Sequence, residues 1–546
     1  MRGKTRAAVV VGLASTALVA ASCGGGGSAP ADTASGGKGG GEIKIRGCNP
    51  QNDLIPANTS ETCGGDVLDL TTSKLVYYTP ESGKAENDIA EKIDTTDSKT
   101  FKVTLKKGYK FSDGTEVKAK NFIDAWNYAA YGPNAQSSGS FMEPIDGYDE
   151  VSTKTATVKE MKGLKKGADD YSFDITLKSP LSDFAGRLGY TAFAPMPDAF
   201  LSNPKGDFGK KPIGAGPYKV TQWDANAQIV MEKNKDYSGK FGGQADKITY
   251  KIYQDSGAAY KDVQANNLDV TNDYPSEAIV GGRYKTDLPD RWALRTDAGV
   301  VQFVGFASPK ADPAIQNPKL KQAISMAINR QQIIDTVFNG ERKPLAGWVA
   351  AKAVGDYQEN ACGEYCVYDK DKAQAKLKEA GGYTGTLTIS YNADSGHKQW
   401  VEATCQSITN TLNIPCQGAP AVDFKTFLNA LKKRETKGLY RYGWQMDYPL
   451  PENFLGPIYS KKAIADGSNY NDYDNPAFDK KLEEAAQAKS AADGAKLYFD
   501  AEKLLAENMP VVPLWGASAR AGWSNKVTNV KIDAFGRPDY RNVKLK

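Results

Sequence analysis

An apolar run from Ala7 to Ala21, broken only by Gly12, Ser15 and Thr16, succeeds Arg2, Lys4 and Arg6. This is the pattern of a secretory signal peptide over residues 1–22, too short to span a bilayer comfortably. It constrains the fold more than any other stretch, because it sends the remainder of the chain to a compartment where disulfides persist. After Cys23, the run GGGGSAPADTASGGKGGG makes residues 23–41 a flexible tether.

The junction Ala20-Ala21-Ser22-Cys23 resembles that of a bacterial lipoprotein. The resemblance implies cleavage before Cys23, lipid on its sulfur, and an extracytoplasmic protein anchored to the cell membrane. Ala20 stands where that pattern has Leu, and plain secretion is the competing reading. Cleavage removes three positive charges and leaves 66 of the 69 Lys and Arg against 65 Asp and Glu. A net charge so near zero gives no reason to expect nucleic acid as a partner.

Six further cysteines form three local couples, and pairing Cys48 with Cys63, Cys362 with Cys366 and Cys405 with Cys416 closes the smallest loops. Zinc competes for Cys362 and Cys366, but no second Cys or His pair lies nearby in sequence. No metal or other cofactor is expected. Length, with 40% hydrophobic and 25% charged residues, fits a soluble protein of more than one domain.

Along the mature chain, EIKIRG from Glu42 alternates as a half-buried strand does, and the Cys48 to Cys63 segment is loop by its Asn and Pro content. FKVTL (101–105) and SFDITLK (172–178) read as strands, and NFIDAWNYAA from Asn121 reads as a helix whose Trp126 belongs to the core. IGAGPYKV (213–220) is a turn before a strand, since a phosphate loop would lead into a helix. NPKLKQAISMAINRQQIIDTVFNG reads as one helix, capped by Asn317 and Pro318 and closed at Gly340. TLTISYN (386–392) and VVPLW (511–515) read as strands, and a helical region runs from Asn475 to Met509 with an interruption near Gly494.

The stretch GLYRYGWQMDYPLPENF places Asp447 after a β-prone run and ahead of Pro449 and Pro451, which stop a sheet ladder. Asp447 should therefore sit where a strand gives way to a loop, either as a binding carboxylate or as a rim residue bonding its own turn. One histidine, His397, and no unpaired Cys make a catalytic triad or a His-rich metal site hard to assemble. The chain is therefore not expected to be an enzyme. The enzyme reading that remains is a hydrolase using Asp447 and Glu452 as a carboxylate pair.

LKKGYKFSDGTEVKAKNFIDAW, IGAGPYKV and NPKLKQAISMAINRQQIIDTVFNG, in this order, resemble the extracellular solute-binding proteins of peptide and nickel ABC importers, family 5. The resemblance implies an α/β, two-lobed periplasmic-binding-protein-like clamp (type II, cluster C) with a small domain inserted in the first lobe. Implied boundaries are 42–74, 195–299 and 517–546 for lobe I, 75–194 for the insert and 300–516 for lobe II. YNADSGHKQWVEA and RYGWQMDYPLPENF are similar to the oligopeptide-binding branch.

By that resemblance Asp447 holds the ligand's α-amino group, and Arg441 and His397 meet its carboxylate. Asn339 stands where the family has another cation. Gly443 and Gln445 on one side, and Glu61, Thr62 and Cys63 on the other, match the family's backbone partners, while Trp444, Tyr448 and Trp515 either line side-chain pockets or belong to the core. Expected partners are an oligopeptide, an ABC permease with its ATPase subunits, and the membrane through the lipid anchor, with the chain a monomer. Oligosaccharide capture on the same clamp is the alternative, aromatics being 10% of the chain.

Overall fold

The computed structural model describes residues 40–546 except 60, 205, 254, 355–356, 394–395, 423 and 467. The signal peptide, Cys23 and residues 23–39 of the tether lie outside the described residues, as does Ser60.

Two large mixed sheets and one smaller one carry the architecture. The first has seven strands in the order Trp292–Arg295, Ala519–Trp523, Val270–Thr271, Glu42–Gly47, Lys247–Ile252, Gln228–Lys233 and Tyr218–Asp224. Its centre is parallel, Glu42–Gly47 pairing with Lys247–Ile252 and Val270–Thr271, and its flanks are antiparallel. The second has six strands, ordered Lys343–Pro344, Val511–Gly516, Val300–Phe306, Leu439–Gln445, Leu387–Asn392 and Cys416–Ala421. The third is antiparallel, with Thr100–Leu105 between Ala90–Asp94 and Ser172–Thr176, and Leu164–Lys166 beyond.

Each sheet has its own apolar core. Ile43, Ile45 and Ile248 anchor the first, Phe303, Leu439 and Trp515 the second, and Phe101, Trp126 and Phe173 the third. Trp126 is fully buried, and its indole N–H donates to Phe193 O at 3.1 Å. The chain crosses between the two large sheets at residues 296–299 and again at 517–518. A hydrogen bond from Ala517 N to Val300 O, 2.8 Å, ties these crossings together.

Two helix expectations need correction. Residues 318–338 form two helices, Pro318–Met326 and Arg330–Phe338, the second capped by the Asn329 side chain. The late helical region breaks between Pro476–Ala486 and Ala491–Asn508, with Gly494 inside the second helix. All three cysteine couples are joined as disulfides, with Cα atoms 5.3, 5.6 and 4.8 Å apart in chain order.

Candidate functional site

The strand Leu439–Gln445 pairs along its whole length with Val300–Phe306, and its alternate residues Tyr440 and Tyr442 sink into the core. On its other edge only Leu439 and Tyr440 find partners among the described residues, Ile389 and Ser390. From Gly443 to Gln445 none of the described strands pairs with that edge. Such an edge is a template for an added strand.

Beyond the strand, Met446 N donates to Gly299 O at 2.9 Å, and a Cβ on Gly299 would collide with the Met446 side chain. That close approach fixes where the chain turns. Asp447 comes next, its N–H donating to Asn453 Oδ1 at 2.9 Å and its Oδ2 accepting from Asn453 Nδ2 at 3.1 Å. Asn453, 1% exposed in the first turn of the helix Glu452–Tyr459, also accepts from the Trp444 indole at 3.2 Å. Asp447 forms no ion pair among the described residues. Burial therefore pushes its carboxyl above the ordinary value, Asn453 offsets part of this, and the nearby Glu452 charge adds to it.

Asp447 opens into a cavity of about 270 Å³ whose walls include Glu61, Thr62, Tyr190, Gln445 and Arg537. Arg537 stands among acids, 3.3 Å from Asp533 and 3.7 Å from Asp66, so its charge is already matched. Glu61 is also occupied. Its carboxylate accepts from the backbone of Cys63 at 2.6 Å and Gly64 at 2.8 Å, capping the helix Thr62–Thr71. The N–H of Cys63 is thereby used, and its carbonyl accepts from Tyr250 Oη at 3.3 Å. The Cys48–Cys63 staple thus presents Glu61 and Thr62 to the cavity, while Cys63 lies behind them.

The other expected residues divide. Trp444 is half-buried and Tyr448 buried, and both line a second cavity beside Asp447. Tyr448 Oη donates to Glu452 at 2.7 Å, and Arg187 sits 2.9 Å from the same carboxylate. Glu452 is thus already engaged, which leaves no open carboxylate pair with Asp447. Trp515 is fully buried, its ring 5.7 Å from Trp400 and 5.3 Å from Phe338, so it braces the core and lines neither cavity.

His397 Nδ1 accepts from Trp400 Nε1 at 3.1 Å. Arg441 donates to Asn392 at 2.8 Å and lies over Phe427. Neither lines the Asp447 cavity. Arg441 precedes Asp447 by about 20 Å of extended chain at roughly 3.3 Å per residue. Asn339 adopts a left-handed φ of 54° and donates to Ile279 O at 2.9 Å. Sequence reasoning missed Asn453, Arg537 and Tyr190. All three reach Asp447 or its cavity from outside the β-prone run, and no local pattern marks them.

Residues 84–466 match the family described as "Bacterial extracellular solute-binding proteins, family 5 Middle". The chain is 24% identical over 512 residues to the oligopeptide-binding protein OppA of Bacillus subtilis, covering 90% of each. It superposes on Haemophilus influenzae OppA in complex with RPPGFSPFR with a TM-score of 0.70 at 22% identity, over 92% of this chain and 98% of that one. Helicobacter pylori DppA in complex with peptide STSA gives 0.72 at 21% identity, over 93% and 98%. These likenesses establish the fold, a two-lobed α/β clamp in which the two large sheets form the lobes.

Proposed function

This chain belongs to the bacterial extracellular solute-binding proteins of family 5, and we propose that it captures oligopeptides between its lobes. It delivers them to the permease of an ABC importer powered by separate ATPase subunits. The mature protein is a monomer, held on the outer face of the cell membrane by lipid on Cys23. Its domains follow the boundaries that the family resemblance implies, with 42–74, 195–299 and 517–546 as lobe I, 75–194 as the insert and 300–516 as lobe II.

The observation that carries this reading is Asp447, a largely buried carboxylate without a cation among the described residues, at the end of an open strand edge. A ligand ammonium supplies the missing charge, and leaving such a charge unpaired costs several kcal/mol. The ligand main chain then pairs along Gly443 to Gln445 as an added strand, which ignores side-chain identity. Arg441 and His397 receive the ligand carboxylate, a guanidinium being suited to that group. A peptide touching both lobes shifts the clamp toward its closed form by its preference for that form.

Isothermal titration of matched free-amino and N-acetylated peptides tests the capture step. Tight binding of the free form and at least about a hundredfold loss on acetylation are expected, the size of a broken buried pair. Equal affinities would refute it, and a sugar retained by natively purified protein would replace it with oligosaccharide capture. For the anchor, Cys23→Ser protein should leave the membrane fraction.

A further inference from the structure

A further cavity, of about 210 Å³, lies where the chain crosses between the two large sheets. Thr296, Asp297 and Ala298 of the first crossing and Gly516 beside the second form part of its wall. Residues drawn from 343–360, together with Glu502, form the remainder. It shares no wall residue with either cavity beside Asp447. The sheet order accounts for this, because Lys343–Pro344 flanks Val511–Gly516 on the side away from Val300–Phe306 and Leu439–Gln445. The cavity therefore lies on the opposite flank of the crossings from the strand edge that ends at Asp447.

Much of its wall is apolar, with Leu345, Val349, Ala350 and Ala351, but it also holds one buried carboxylate. Glu502, 2% exposed, accepts through Oε1 from the N–H groups of Trp348 and, at 3.0 Å, Val349, and through Oε2 from Tyr357 Oη at 3.1 Å. The loop wraps so closely that a Cβ on Gly347 would lie 2.5 Å from Oε1. Oε1 is thus full, whereas Oε2 keeps one acceptor position. Glu502 forms no ion pair among the described residues, and burial pushes its carboxyl up to about 7 despite those three donors. The other acids of the wall are matched, Asp297 by Arg295 at 3.0 Å and Glu359 by Lys352 at 3.3 Å, and Lys343 is exposed at the rim.

We infer that this cavity is a second ligand site, which takes a small organic ammonium with an apolar body and couples its occupancy to the angle between the lobes. The ammonium donates to Oε2 and supplies the charge that Glu502 lacks. The apolar body displaces water from Leu345, Val349 and the alanines. An apolar cavity of about 150 Å³ accepts a benzene ring, so a body of about six or seven carbons fits. One part of the wall belongs to the crossings and the rest to the six-stranded lobe, so an occupant packed between them resists a change of angle. The coupling, unlike the site, rests on the proposed capture of peptides between the lobes. Arg187 here reaches Glu452 of the six-stranded lobe at 2.9 Å, which on that reading is the arrangement that encloses a peptide. Ammonium and peptide then raise one another's affinity by the same factor.

The site is tested by calorimetry with benzylamine, benzyl alcohol and benzoate on the full mature chain carrying Asp447→Asn, which blunts amine binding in the cleft. Benzylamine should bind at least about tenfold tighter than the alcohol, as a charge-assisted bond requires, and benzoate should not bind. At neutral pH its heat should also change with the ionisation enthalpy of the buffer, because the arriving ammonium drives a proton off Glu502. Equal affinities for amine and alcohol, or an amine that does not bind, overturn the site. Glu502→Gln should weaken the amine at least about tenfold. Since that variant also disturbs the loop at Trp348, Ala351→Phe, which fills the cavity and keeps Glu502, should weaken it as much, and undiminished binding there overturns the assignment to this cavity. In the unsubstituted chain, saturating benzylamine should tighten a free-amino pentapeptide at least about threefold, and Ala351→Phe should remove the effect. A weakened peptide would mean competition in the cleft and overturn the coupling. A pentapeptide that does not bind with or without amine fails the capture reading instead, while the amine series still supports the site.

Discussion

Glu341 and Asp447 are both carboxylates of the six-stranded lobe placed where it meets the rest of the molecule, yet the fold supplies one richly and the other hardly at all. Glu341, 3% exposed, accepts from Tyr284 at 2.6 Å, Lys285 at 3.0 Å and Arg520 at 2.6 Å, all from the seven-stranded side. Burial alone would push its carboxyl up, but these bonds outweigh it and leave it below the ordinary value. Asp447 has one amide and a carboxyl pushed up. A carboxylate satisfied by the chain holds the lobes. One left unsatisfied is, in the reading proposed above, kept for the ammonium of a ligand.

The largest effect that could break this contrast is on stability. Glu341→Ala strands Arg520 and Lys285 and should cost about 3–5 kcal/mol in denaturant unfolding. Asp447→Asn should cost nothing, or stabilise, because it removes an unpaired charge. Equal losses would erase the distinction. On ligand binding the ranking reverses at Asp447, where Asn should weaken free-amino peptides by about 2–4 kcal/mol in calorimetry.

Asn453→Ala removes the side-chain amide that donates to the Asp447 carboxylate and should lower stability by about 1–3 kcal/mol. An unchanged melt would mean that Asp447 is held in some other way. The smallest effect is in pH dependence. A raised carboxyl takes up its proton more readily in the folded state, so the peptide-free protein gains stability from Asp447 as pH falls through that raised value. Bound ammonium pulls the value back down, so peptide affinity falls over the same interval. The Glu341 contribution is present at neutral pH and is lost only at lower pH, as its depressed value is passed. Affinity should therefore decline before the melting temperature does on acidification, and the reverse order would contradict both assignments.

What the sequence made legible was local. The β-prone run and the prolines put Asp447 just past a strand end, and the nearest-neighbour cysteine couples are the bonded ones. What it hid was imposed from a distance. The apolar period runs through Ala327 and Ile328, yet the helix stops there. Ser407 Oγ takes the N–H of Asn329 at 2.9 Å, and buried Arg330 reaches Pro513 O at 2.7 Å.

The break after Ala486 has a similar origin. Ser182 donates to the carbonyls of Ala485 and Ala486, at 2.9 and 2.6 Å, and Ser98 donates to that of Ala488 at 3.3 Å. At the site, Arg187 meets Glu452 across 265 positions of sequence, a partnership that periodicity cannot reveal. The fold class could be read because it rests on many local patterns in order. The pairing of charges could not, because each pair is a single long-range event.

The two crossings between the large sheets, tied by Ala517 N to Val300 O, have a mechanical consequence. A body joined to another by one strand can swivel about every axis. Two strands fastened side by side leave an easy fold along the line that joins them and resist twist and slide. The motion open to the lobes is then close to a single angle, so whatever lies between Asp447 and the opposite wall is met from the same direction each time.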